Sequence, residues 1–75
     1  MVQAEKSLDL ARRCTDLLRG GNDFPTIWKT CLSLHPLVVG LPHQRLTGNS
    51  SVLDIKLMTG ERLVFHGDAR QFSVE

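Results

Sequence analysis

Cysteine is scarce, neither sign of charge is in large excess, and long apolar runs are missing; each absence removes a class of protein. Two cysteines, Cys14 and Cys31, are too few for a disulfide framework and too far apart for a zinc knuckle. Nine Lys and Arg against eight Asp and Glu leave a formal charge of +1, so no broad field steers the chain to nucleic acid or to an anionic membrane. No stretch approaches the roughly eighteen apolar residues of a membrane span. The opening Met-Val-Gln-Ala-Glu-Lys lacks the basic start and apolar core of a signal peptide, and a cytoplasmic protein with no membrane association is expected.

Catalytic fingerprints are absent too. None of the serines stands in a Gly-x-Ser-x-Gly turn. Gly20-Gly21 precedes a helix start, but Asn22-Asp23 places a negative charge where an anion would bind. An enzyme is not expected, nor a cofactor. No internal repeat or low-complexity tract occurs.

What is present is pattern. Hydrophobic residues make up 41% of the 75 and charged residues 23%, the proportions of a chain that folds rather than stays disordered. One domain, 1–75, is expected, burying only about 60% of its unfolded surface. Ala4, Leu8, Ala11 and Leu18, with Leu10, Cys14 and Leu17 beside them, form an apolar stripe over about 4–19, an amphipathic helix that Gly20-Gly21 stops. Asn22-Asp23 caps a second helix over about 24–34, with Pro25 in its first turn and Pro36 beyond its end. The two are expected to pair as an αα-hairpin. That pairing could bring Cys14 and Cys31 together, although two separate buried thiols are the commoner arrangement.

The second half alternates. Leu53, Ile55 and Leu57 share one face of an extended strand and Leu63 and Phe65 one face of the next. A loop Met58-Thr59-Gly60, with Gly60 left-handed in a G1 bulge, keeps those faces together and pairs Ile55 with Leu63. Its defect is Lys56 opposite Arg62, a like-charge pair that a loop Thr59-Gly60-Glu61 would avoid. Gly48-Asn49 fits a type II′ hairpin turn, Leu37-Val38-Val39 reads as a short edge strand at most because of Pro36, Gly40 and Pro42, and Phe72 and Val74 alternate inward. Strands are thus expected at about 44–47, 51–57, 61–66 and 71–74. The fold class is α+β in two layers: the αα-hairpin on a three- or four-stranded antiparallel meander, with water on the far face.

That far face is where chemistry could be displayed. The Gly48-Asn49 turn sets Asp54 opposite His43, and His66 lies diagonal to it, so His43, Asp54 and His66 are weak candidates for a metal site or for a carboxylate-oriented imidazole. A solvated charged face is the blander alternative. Cys31 and His35 have helical ligand spacing but no second pair.

Three functions are carried forward. The first is a non-enzymatic protein-interaction module, self-associating as a homodimer through the edge strand of Phe72 and Val74 or the Phe24 and Trp28 face. A nucleic-acid binder built like a truncated winged helix comes second, with Arg12, Arg13, Lys29, Arg45, Lys56, Arg62 and Arg70 as contacts. Against it stand the charge of +1 and a missing third helix. The third is a metal-binding protein using His43, Asp54 and His66.

Overall fold

The computed structural model describes residues 2–75, with side chains from Lys6 onward. Helix α1, Val2–Arg19, turns Leu10, Ala11, Cys14 and Leu18 inward, spacings of three and four that mark one helical face. Ser7 is buried on that face, whereas Leu8, expected within the stripe, is about half exposed; the side chain of Ala4, also expected there, lies outside the described side chains. The helix stops where the glycines require. Gly21 has φ +104, the Asn22 N–H donates to the Leu17 carbonyl at 3.1 Å and the Gly21 N–H to that of Leu18 at 3.2 Å, consuming carbonyls that a helix end leaves open.

The second helical stretch departs from expectation. Asp23 caps it by accepting from the Thr26 N–H at 3.0 Å, a bond that lowers the pKa of its carboxyl. Only Phe24–Ile27, α2, is α-helical; Trp28–Leu32 is a π-helical turn. An αα-hairpin with a full second helix over 24–34 is therefore not what forms. Two features account for the widened turn. Thr30 Oγ1 donates to the Thr26 carbonyl at 2.8 Å and Ser33 Oγ to that of Lys29 at 3.2 Å, competing for acceptors of an α-helical ladder. The wider turn also lets Ile27 and Leu32 both reach full burial, which residues five apart on an α-helix would not share.

The remainder is a four-stranded antiparallel sheet in the order β1-β2-β3-β4, with β1 His43–Thr47, β2 Ser50–Lys56, β3 Arg62–His66 and β4 Gln71–Val74. Gly48 at φ +61 opens the two-residue turn, and Asn49 is not at positive φ, which is the II′ pattern. The next loop is Met58-Thr59-Gly60: Gly60 has φ +92, the Leu57 N–H donates to the Glu61 carbonyl at 2.9 Å, and Ile55 pairs with Leu63 and Leu53 with Phe65. The like-charge pair Lys56 and Arg62 comes with this register. Leu37 to Val39 runs along β2 beside β1, with the Val39 N–H on the Lys56 carbonyl and a single bridge from Val38 to Leu57.

Ile55, Leu57, Leu63 and Phe72 on one sheet face form a single cluster with the buried residues of α1, α2 and the π turn, so the helices cover that face. The other face is not simply open to water, as the alternation implied. Val52 is 6% exposed and Val64 0%, although the pairing of Val52 with His66 and of Asp54 with Val64 sets both on the side away from Ile55 and Leu63.

Helix α1 also closes part of the β4 edge. Arg62 and Glu75 exchange backbone hydrogen bonds at 2.8 Å, so by alternation Phe72 and Val74 direct their backbone groups outward. The Phe72 N–H finds Thr15 Oγ1 at 2.9 Å, and that hydroxyl donates to the Ala11 carbonyl at 2.8 Å. Thr15→Val keeps the shape and strips the acceptor. It is expected to cost about 1–3 kcal/mol, the penalty of an orphaned buried donor, and to speed hydrogen exchange at the Phe72 amide, while Thr15→Ser retains most of the stability. An unchanged urea midpoint in Thr15→Val would show that the bond contributes nothing.

Candidate functional site

The sheet face away from the helices carries, strand by strand, His43 and Arg45, then Val52, Asp54 and Lys56, then Arg62, Val64 and His66, with Ser73 opposite Val64 on β4. Here the pleat gathers the polar side chains over two valines. Asp54 is the hub, with its side chain 12% exposed. Arg45 grips it through Nε to Oδ2 at 2.8 Å and Nη2 to Oδ1 at 3.1 Å, the bidentate fork a planar guanidinium offers a carboxylate. The same Nη2 reaches Glu75 Oε1 at 3.2 Å, and Arg62 Nη1 approaches Asp54 Oδ2 at 3.5 Å. The hydrogen bond to Asp54 raises the pKa of the Arg45 guanidinium further. These side chains shield Val52 and Val64 from water while staying wet at their own tips.

His43 does sit opposite Asp54 in the ladder, but the carboxylate turns to the two arginines. His66 binds elsewhere, Nε2 to Ser73 Oγ at 2.7 Å. The expected row is therefore not joined, Asp54 and His66 having different partners, and among the described residues no group of three or more His, Cys, Asp and Glu side chains is disposed around a common point that could hold a metal. Cys31 and His35 are likewise apart in role: His35 Nδ1 accepts the Leu37 N–H at 3.1 Å, while the Cys31 thiol neighbours Cys14. Burial first, and then this neighbour, push the Cys14 thiol up to about 12. Both cysteines are free.

Of the residues named for an interface, Phe24 and Phe72 belong to an aromatic cluster with Phe65, ring centres 5.0 to 6.1 Å apart. Phe72 is buried, while Trp28 and Val74 are half-buried against the core. The cations named for nucleic acid do not share a face, since Arg12 and Arg13 belong to α1 and Lys56 and Arg62 to the far side of the sheet. Among the described residues, no helix is long and apolar enough to cross a membrane.

Two features escaped the sequence. One is Arg45 as the partner of Asp54; it stands opposite Val52 rather than Asp54, and only the reach of a guanidinium makes the diagonal. The other is a set of exposed apolar side chains around β1, with Leu46 79% and Leu41 74% exposed. Compared with known protein families, curated proteins and solved structures, the chain matches none.

Proposed function

We propose that the chain is a non-enzymatic protein-interaction module that self-associates as a homodimer through the free edge of β1. The observation that carries this reading is the bare strand itself. Thr47 and Ser50 close a two-residue turn and are a hydrogen-bonded pair, so Arg45 and His43 also bond to β2, and Gln44 and Leu46 point their backbone groups away from the sheet. An unpaired edge beside a leucine left 79% exposed is a template for another strand. The opposite edge offers less, because Thr15 already occupies the Phe72 N–H.

The simplest occupant is a second copy. A two-fold axis through Leu46 sets Leu46 beside its twin and Gln44 beside Gly48, with Arg45 facing Thr47, so no like charges meet. The product is one continuous antiparallel sheet with the helices of both copies on one face. In this reading α1 and the second helical stretch act as a pair that stiffens the sheet from behind. The chain works in a reducing cytoplasm, where its thiols stay free. An edge this short buries less than the about 1,200 Å2 of standard interfaces, so the dimer is concentration-dependent.

Sedimentation equilibrium over a wide concentration range tests it. A rise from monomer to dimer mass is expected, abolished by Leu46→Lys and by Gln44→Pro, which removes an edge donor. Monomer mass throughout would end the reading, and a dimer indifferent to both variants but lost in Val74→Lys would move the interface to β4.

A further inference from the structure

On the outward sheet face, between the bend at Gly40 and the turn at Gly60, lies a cleft of about 450 Å3, within the size range of small-molecule sites. Its polar wall is His43, Asp54, Lys56 and Arg62, and Val39 and Leu41 add an apolar rim. The charges do not balance. Strand pairing fixes Lys56 directly opposite Arg62, an arrangement that repels. Asp54 is the one carboxylate among the lining residues, and Arg45 already holds both of its oxygens, at 2.8 and 3.1 Å. Arg62 is left with a 3.5 Å approach to it, and Lys56 takes part in no ion pair among the described residues. Two cations face one opening whose single carboxylate is gripped by Arg45, reached by Arg62 only at 3.5 Å and not paired with Lys56, beside a leucine 74% exposed.

The geometry points to this cleft as a binding site for a small phosphate monoester bearing an apolar group. The dianionic head lies between the Lys56 ammonium and the Arg62 guanidinium, where it turns a repulsive pair into two charge-assisted contacts. The apolar group lies along Val39 and Leu41, covering side chains that are otherwise in water. The backbone bend that creates the rim depends on Gly40 at φ +145, a conformation that side chains rarely adopt. The cleft is complete within one chain and sits on a sheet face, not on the β1 edge, so loss of the dimer would leave it intact.

The experiment is an amide-shift titration of the full chain with hexyl phosphate, with hexanol and inorganic phosphate as controls. Saturable shifts are expected at residues 39–43 and 54–62, with inorganic phosphate binding more weakly and hexanol not saturating. Lys56→Gln and Arg62→Gln are each expected to weaken hexyl phosphate about five- to tenfold, the loss of one charge-assisted contact. Lys56→Gln disturbs no ion pair, so its reading does not depend on Arg62→Gln folding normally. Leu41→Ser is expected to weaken hexyl phosphate and leave inorganic phosphate unchanged. Shifts scattered over the surface, equal saturation by hexanol, or hexyl phosphate binding unaltered in Lys56→Gln would each overturn the assignment.

Discussion

Replacing Leu63 with alanine is expected to remove about 2–5 kcal/mol of stability, and replacing its neighbour Val64 to remove about 1.5–3 kcal/mol. The two residues are adjacent on β3 and point to opposite faces, yet both are 0% exposed. Leu63 is held between the helices and the sheet; Val64 lies beneath the polar network of Asp54 and its arginines. Against a total of about 4–11 kcal/mol for 75 residues, Leu63→Ala consumes a large share. In urea, with a slope of about 1 kcal/mol per molar for so small a chain, the midpoint should drop by roughly 2 M or more for Leu63→Ala and by less, but clearly, for Val64→Ala. A Val64→Ala midpoint equal to the parent's would mean that the outer face is solvated after all.

Oxidation is expected to have an effect of similar size and opposite sign. Cys14 on α1 and Cys31 in the π turn are neighbours, and a bond between them would close a loop with sixteen residues, 15–30, between the two cysteines. Loops of about that length contribute roughly 3 kcal/mol by restricting the unfolded chain. Cys31 is half-buried and Cys14 fully buried, so a small disulfide such as oxidised glutathione meets Cys31 first. Cys31 sulfur bonds to one glutathione sulfur and the other leaves as a thiol; Cys14 then displaces the second glutathione. The product should lack two hydrogens by mass and melt higher, and Cys14→Ser should stop the sequence at the mixed disulfide. A parent chain that also stops there would show that the thiols cannot reach bonding geometry. The same burial makes a pH statement. Because the Cys14 thiol is raised from 9.0 to about 12 in the fold, the unfolded chain loses its proton first, and stability should fall as pH rises from about 9 to about 12.

Legibility followed the locality of the cause. The end of α1 at Arg19 is written in Gly20-Gly21, and the register of β2 on β3 in the distance from Ile55 to Leu63 and the place of Gly60 between them. Both are decided within a few residues. The π turn is harder, because its causes are hydroxyls at Thr30 and Ser33 that on sequence look neutral, and a burial demand at Leu32 set by the sheet. Pattern also placed Asp54 opposite His43 correctly and then misjudged its partner. Opposite Cα positions do not decide which side chain a carboxylate prefers; a fork two residues along the ladder outcompetes an imidazole beside it. Val64 reads as outward because it is outward. Its burial comes from polar neighbours folding over it, which alternation does not encode.

The bond from Phe72 to Thr15 spans 57 residues, and Arg70 reaches the Leu18 carbonyl at 3.3 Å across 52. The first and last elements of the described chain therefore clasp each other, and this governs the order in which the fold can assemble. The hairpins need only short loops and can form early, but docking α1 on β4 incurs the entropy of closing almost the whole chain before any contact rewards it. Until then α1 can hide its stripe only against the short second helical stretch, and the sheet shows a bare apolar face. Such a fold has no autonomous half: cut anywhere between α1 and β4, each fragment is left with the exposed surface that the other was meant to cover.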